Sequence, residues 1–316
     1  MPRLELISRF LLALTSSVFL FMSGISLPPL GVVLLPFVPQ PVLLFAFKYG
    51  LGAGVAVLVL ALVVLFLIAE EFAFIYALFA LLAGLLMGLL GRIRSIEYLV
   101  GAVATVMLSA TAGLSLYFFG AWSAIFVELR AVLGQQLDAA VRVQEKMGVP
   151  AESLALLKEQ APQIVDMMVR LLPALLLLCF ALMVLINVLY LARRFPDRRG
   201  DWLAVQNLRE WKAPEPLVWG LIACGFALFV PGVPLLRTSA LNLLLVIAAC
   251  YFAQGLAVIA YFFNKNNVPR FLRGLTYVLI IFQQIFTLLV VGVGLFDLWG
   301  DFRRLGKDRL TPSQAG

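Results

Sequence analysis

The sequence contains no histidine and little charge of either sign. Only 13% of its 316 residues are Asp, Glu, Lys or Arg, about half the share found in soluble domains. Without histidine the chain lacks the commonest general base, the commonest metal ligand and the usual switch near neutral pH. No GxxxxGK[ST] phosphate loop occurs either, which excludes ATP hydrolysis by that mechanism. We therefore predict that the chain is not an enzyme and has no catalytic residue, no metal site and no cofactor.

Cysteine is also scarce. Cys179, Cys224 and Cys250 each lie inside an apolar run, with no paired spacing. This pattern predicts small buried residues and argues against a disulfide set or a metal centre.

Acidic and basic side chains are missing from the middle of the apolar runs. Glu70, Glu71, Glu97 and Asp297 all lie at the ends of such runs. Proton-coupled carriers usually need a charge deep in a span, so the sequence argues against that class.

What the chain does have is hydrophobic length: 63% of residues are hydrophobic and the mean hydropathy is +1.03. Several runs exceed the roughly 18 residues that cross a bilayer. They are continuous rather than alternating, which predicts helices and excludes a barrel. We predict an all-α, polytopic transmembrane bundle. Its eight to nine apolar segments lie near residues 5–25, 30–47, 51–69, 72–90, 98–119, 168–191, 217–236, 239–262 and 274–297.

The spacing of these segments predicts the domain organisation. The net charge is +7. Cations beside spans set membrane topology, so we attribute this charge to the positive-inside rule and not to nucleic-acid binding. The predicted parts are a six-segment bundle at 1–191 with an external amphipathic insertion at 120–167, a basic cytoplasmic loop at 192–216, C-terminal membrane segments at 217–300 and a basic polar tail at 301–316.

The distribution of cations places the N-terminus in the cytoplasm, with the first segment retained as a span. The C-terminal side depends on segment 217–236, which Pro231 and Pro234 interrupt. If it dips into the membrane and returns, eight segments span and the tail cations fall inside. The positive-inside rule slightly favours this arrangement over nine spans. The tail cations are Arg303, Arg304, Lys307 and Arg309.

Two stretches depart from a simple span. Residues 27–41 carry five prolines, which predicts either an irregular element that lines a cavity or a kinked packing helix. Residues 120–167 predict two amphipathic helices, the second starting near Pro150. Three roles are open to this pair of helices: to cover the bundle, to lie on the lipid headgroups or to bind a partner.

Amide side chains within the apolar runs are the candidate ligand-binding residues. An amide in hydrocarbon is costly without a partner, so each one either joins helices or lines a polar cavity. The candidates are Asn187, Asn242, Gln254, Gln283 and Gln284.

Small residues at four-residue spacing let two helices approach closely. They indicate either packing inside the bundle or a docking face for another subunit. The helix-packing candidates are Gly50, Gly54, Ala80, Gly84 and Gly88.

The C-terminal third resembles the YybS-like family of bacterial membrane proteins. The resemblance follows the order WKAPEPLVWG at 211–220, NLLLVIAACYFAQGLAVIAYFFNKNNVPRFLRG at 242–274, and GLFDLWGDFRRL at the end. It implies no established biochemical activity. The residues on that pattern are Asn242, Gln254, Gly255, Gly294, Asp297, Asp301, Phe302 and Arg303.

The first six segments, with PVLLFAFKYGLGAG at 41–54, are similar to S components of energy-coupling-factor vitamin transporters. This resemblance implies a six-helix substrate-binding subunit that relies on a coupling protein and ATPases. The three additional C-terminal segments depart from that fold.

Together these features predict a membrane-embedded, transport-associated or substrate-binding subunit that depends on partner proteins for energy. Its predicted partners are the lipid bilayer, a coupling subunit and an unidentified small molecule, with no nucleic acid. The alternative is a membrane scaffold or assembly protein of the cell envelope. It rests on the small-residue faces, the external amphipathic pair and the basic loop.

Overall fold

The computed structural model describes residues 3–202 and 208–303, and every regular element in these ranges is a helix. The predicted all-helical class is therefore confirmed. The chain divides into two compact units, the first formed by Met1–Val169 with Leu175–Ala204 and the second by Arg170–Ala174 with Val205–Gly316. Three of the predicted tail cations lie outside the described residues: Arg304, Lys307 and Arg309.

The first unit contains nine helices among its described residues. Six stretches of it are long and apolar enough to cross a membrane. The helices are α1 Arg3–Ser26, α2 Pro28–Leu34, α3 Gln40–Tyr49, α4 Leu51–Ile68, α5 Glu70–Leu89, α6 Ile96–Phe119, α7 Trp122–Lys146, α8 Ala151–Arg194 and α9 Arg199–Trp202.

The proline-rich stretch forms a broken span. After α2 comes one 3-10 turn at Leu35–Phe37, and α3 then continues the path. Proline supplies no backbone donor, so carbonyls in this stretch need other partners. The Ser17 hydroxyl donates to the Val38 carbonyl at 2.8 Å and also pairs with the Tyr76 hydroxyl at 2.8 Å. Irregular backbone is thus satisfied by buried side chains, as membrane depth requires.

The amphipathic insertion differs from the prediction in one respect. α7 ends at Lys146, and α8 begins directly after Pro150, as expected. However, α8 runs unbroken for 44 residues to Arg194, about 66 Å. Because the hydrocarbon core is only about 30 Å thick, the second amphipathic helix is the extension of the sixth span, not a separate element.

Among its described residues the second unit contains four complete α-helices and the short part of α8 at Arg170–Ala174. The four are α10 Leu217–Leu228, α11 Pro234–Lys265, α12 Arg270–Phe282 and α13 Gln284–Gly300. α10 has 12 residues, about 18 Å, and is too short to span alone. α12 and α13 form a pair bent by 105°. The described residues therefore hold seven candidate spans, or eight if the bent pair counts as one.

The three cysteines are free. Cys224 is buried in the second unit, and Cys250 is half-buried. The prediction of burial is wrong for Cys179, which is exposed on α8. A small side chain that behaves as a hydrophobe can face lipid at little cost.

Candidate functional site

A cavity of about 710 Å³ lies in the first unit, between α1, α3 and the end of α8. The start of α1 lies against the end of α3, since the Phe10 and Phe45 rings are 5.8 Å apart. The end of α3 in turn meets the end of α8, where the Phe47 and Phe195 rings are 6.5 Å apart. α1 therefore runs antiparallel to α3 along the cavity.

One end of the cavity is cationic. Arg9 lines it from the first turns of α1, and Lys48 and Arg194 line it from the last turns of α3 and α8. No ion pair involves these three side chains within the part of the chain that the structure describes. Lys48 lies over the Tyr49 ring, 5.1 Å from its centroid. The three charges are therefore available to an anion.

A buried amide with no partner in the described part of the chain lines the cavity toward the end opposite the cations. Gln40 lines the cavity and is 5% exposed. Neither its Oε1 nor its Nε2 has a hydrogen-bond partner among the described residues, and the buried Tyr49 hydroxyl has none either. A buried amide left unpaired costs about 1–3 kcal/mol. Gln40 therefore holds an unpaired amide directly behind the surface of the cavity.

Most of the remaining lining is apolar, and Ser16 and Tyr190 add two hydroxyl groups. Leu12 and Leu20 contribute from α1, and Phe37, Leu44 and Phe45 contribute from the broken span. The lining positions on α1 run from Arg9 to Leu20, about 16 Å along the helix axis. The cavity is consequently a slot with a charged end, one amide and mainly apolar walls.

Asn187, a predicted ligand residue, joins helices in the first unit. It is fully buried on α8, and its Nδ2 donates to the carbonyls of Pro36 at 3.0 Å and Met183 at 2.8 Å. It therefore anchors the proline-broken span, and it does not line the cavity.

Asn242 lies in the second unit beside Pro173. Its Oδ1 accepts from the Ala174 N–H at 2.9 Å, and its Nδ2 donates to the Arg170 carbonyl at 2.8 Å. In a regular helix those two backbone groups would pair with each other. The Asn242 amide therefore stands between the Ala174 N–H and the Arg170 carbonyl, next to Pro173. A side chain inserted between backbone partners in this way is a recognised cause of helix kinks.

Gln254 is the centre of a buried network in the second unit. It is fully buried on α11. Its Oε1 accepts from the Ala213 N–H at 3.0 Å, and its Nε2 donates to Asp297 Oδ2 at 3.0 Å. This amide joins α11 to α13 and to the segment before α10.

The Asp297 carboxylate also pairs with Arg303 at 2.6 Å, and both side chains are fully buried. Arg303 Nη1 donates to the carbonyls of Arg209 and Trp211 at 2.6 and 3.0 Å. Asp301, in the left-handed conformation with φ 35°, ends α13 and reverses the chain. Arg303, which the sequence places at the start of the basic polar tail, is thus returned to Asp297 by this turn.

α11 and α13 cross with their backbones in contact. A Cβ added at Gly294 would meet the Tyr251 carbonyl oxygen and would lie 2.7 Å from the Gly255 nitrogen. A Cβ at Gly255 would meet the Val290 carbonyl oxygen. Only glycine fits this crossing. Most of the residues on which the C-terminal resemblance rests thus meet in this one core.

Gln283 and Gln284 lie at the break between α12 and α13. Both are exposed. The Gln283 carbonyl accepts from the N–H groups of Phe286 and Thr287, at the start of α13. The structure does not bring this pair together with Gln254.

The small residues fall into two groups. A Cβ at Gly54 would meet the Ala46 Cβ and would lie 3.0 Å from the Met87 sulfur, so Gly54 packs inside the first unit. Gly50, with φ 118°, forms the turn between α3 and α4. Gly84 and Gly88 are exposed on α5 and face open space, and Ala80 is half-buried on the same helix.

Sequence reasoning gave residues 27–41 as a possible cavity lining, and Phe37, Gln40 and Pro41 do line the cavity, but it did not select Gln40 or the three cations as site residues. Gln40 is an amide in an apolar segment and meets the same criterion as the chosen five, but it stands between Pro39 and Pro41. Arg9, Lys48 and Arg194 resemble ordinary topology cations in sequence. Only their convergence at one cavity distinguishes them.

Comparisons with known proteins identify one family. The family model described as "Predicted membrane protein (DUF2232)" matches residues 15–298. Curated proteins and solved structures give no match. The matched range includes the broken span, most of the cavity lining, and Gln254 and Asp297. The chain therefore belongs to the DUF2232 family of membrane proteins.

Proposed function

We propose that this chain is a non-enzymatic, transport-associated membrane subunit that binds a small molecule in the cavity of its first unit. The observation that carries the proposal is Gln40, whose amide is buried, unpartnered among the described residues and part of a cavity wall. A buried polar group of this kind needs a partner.

The organisation of the first unit supports the same function. The first unit contains six candidate spans, and three of them, α1, the broken span and α8, line the cavity. The resemblance to S components, drawn from the sequence, supports a substrate-binding role for this unit, with energy supplied by partner proteins. The resemblance to the YybS-like family adds no competing activity. A resemblance of architecture remains an analogy for function.

The proposed location is the bacterial inner membrane, with the N-terminus in the cytoplasm. Six spans in the first unit return the chain to its starting side. Arg9, Lys48, Arg92 and Arg194 then lie on that side, as the positive-inside rule expects. The cationic end of the cavity accordingly faces the cytoplasm.

The test is native mass spectrometry of the protein after gentle extraction from its source membrane. The wild-type protein should release a small molecule. Ser16→Phe should abolish that release, since Ser16 lines the cavity and a phenyl ring would occupy it. Thr15→Phe is the matched control, because Thr15 is exposed on the same helix and should retain the molecule.

Two results would contradict the proposal. One is a wild-type spectrum with no released molecule of any class. The other is equal release from Ser16→Phe and Thr15→Phe in variants that unfold at the wild-type temperature. A stable complex with envelope proteins, with no ligand mass, would favour the scaffold instead.

A further inference from the structure

The cavity also carries information about its ligand, and this inference rests on the proposed function. We infer that the ligand is an elongated amphiphilic anion. A phosphate or carboxylate group would bind at the end formed by Arg9, Lys48 and Arg194. An apolar body would lie along α1 and α3, and one hydrogen-bonding atom would reach Gln40.

The cationic end of the cavity indicates that the ligand carries a negative charge. Two guanidinium groups and one ammonium converge there from three helices. The nearest acid along α1 is Glu5, one turn before Arg9, and it does not line the cavity. Guanidinium groups bind carboxylate and phosphate in a bidentate manner, and lysine binds them as a point charge. An anion is therefore the group that this end recognises.

The positions that line the cavity along each helix indicate the length of the ligand. The lining positions on α1 extend about 16 Å from Arg9 to Leu20. On the broken span they extend over the same number of residues, from Lys48 on α3 back to Phe37 in the 3-10 turn. Beyond the cations the walls are mainly leucine and phenylalanine. Inorganic phosphate would fill the charged end alone and leave the apolar length empty, whereas an amphiphile would fill both.

The position of Gln40 indicates where the apolar body of the ligand carries a polar atom. It precedes Lys48 by about 12 Å along α3. Its amide offers one acceptor and two donors, none of which has a partner among the described residues. Both polar atoms lie just behind the cavity surface, so a carbonyl or hydroxyl at this depth would satisfy the amide once the side chain turns into the cavity. A purely hydrocarbon body would leave Gln40 unpaired.

The experiment is a native mass spectrometry titration of the full-length chain in a neutral detergent. Dioctanoyl phosphatidate represents a lipid source of the anion, and decanoate represents a soluble source. Dioctanoylglycerol lacks the charge, and inorganic phosphate lacks the apolar body. We expect one molecule of at least one amphiphilic anion to bind per chain, at least about tenfold more tightly than either incomplete probe. The tighter of the two amphiphiles identifies the source.

The variants separate the cavity charge from the surface charge. Lys48→Gln with Arg194→Gln should weaken binding of the anion about tenfold or more. Arg92→Gln with Arg193→Gln removes the same charge outside the cavity and should leave binding unchanged. Gln40→Leu should weaken dioctanoyl phosphatidate, which carries ester carbonyls, more than it weakens decanoate. Unchanged circular dichroism verifies that each variant is folded.

Equal binding of dioctanoylglycerol and dioctanoyl phosphatidate would overturn the inference. So would an equal loss in the two charge-removal pairs. If extraction releases a neutral or cationic molecule from the cavity, this inference fails and the proposed function stands. If no molecule of any class binds, both fail.

Discussion

Replacing Arg303 by alanine should destabilise the second unit by about 3–5 kcal/mol, because it leaves a buried carboxylate without its charge partner. Arg303 and Asp297 are both fully buried and 2.6 Å apart. The same substitution removes the donor to the Arg209 and Trp211 carbonyls. The loss should appear in the free energy of unfolding, measured by denaturant titration in mixed micelles.

The control is an ion pair in the same unit with more solvent around it. Lys212 and Asp301 are 2.7 Å apart, with side chains about one-third exposed. Such pairs contribute about 0–1 kcal/mol, so Lys212→Gln should change little. Asp297→Leu with Arg303→Met should cost less than Arg303→Ala alone, because no uncompensated charge remains. Equal, small losses in Arg303→Ala and Lys212→Gln would contradict this account of the pair.

Adding a single methyl group at Gly294 should destabilise the second unit by about 3 kcal/mol, at the upper end of overpacking costs. The added Cβ would meet backbone atoms of Tyr251 and Gly255, and backbone cannot move aside as a side-chain tip can. α11 and α13 would have to separate, which would also pull Gln254 from Asp297. Thermal unfolding in detergent measures the effect.

Gly292 provides the matched control on the same helix. A Cβ there meets no atom within 4 Å. Gly292→Ala should therefore stabilise α13 by about 0.5–1 kcal/mol, the usual gain from alanine inside a helix. If Gly294→Ala unfolds at the same temperature as Gly292→Ala, the two helices do not cross at this contact.

The helices were predictable because hydrophobic run length alone determines them in lipid. The start of α8 was predictable as well, since proline is favoured at the beginning of a helix. The continuity of α8 was not. Residues 151–167 carry charge and Pro162, so they differ in composition from the apolar residues that follow. A change of composition was interpreted as a break, although the backbone continues through it.

The buried network in the second unit shows a different limit of sequence reasoning. The sequence identifies Gln254 as an amide within an apolar run and Asp297 as an acid at the end of one. Nothing in the sequence pairs an amide on α11 with a carboxylate on α13. Arg303 was assigned to the tail because it follows the last apolar residue. The return of Arg303 to Asp297 depends on the left-handed turn at Asp301. Aspartate tolerates this conformation better than most residues do.

The predicted amides divide by environment rather than by residue type. Asn187, Asn242 and Gln254 satisfy backbone or side-chain groups between helices, which is the role expected of amides in membrane helices. Gln283 and Gln284 are exposed at a bend. Gln40 is the amide whose two polar atoms are both buried without a partner among the described residues. Burial and pairing, which only coordinates provide, separate the candidate ligand residue from the others.

The central claim is that the first unit contains a water-accessible cavity whose cationic end opens on the N-terminal side. Cysteine labelling of Ser16→Cys, in a chain with its three cysteines replaced, tests this claim most directly. A membrane-impermeant maleimide should react with Ser16→Cys from the cytoplasmic side, and Thr15→Cys, on the outer face of the same helix, should remain unlabelled. Failure of Ser16→Cys to react from either side, or equal reaction of both thiols, would contradict the cavity.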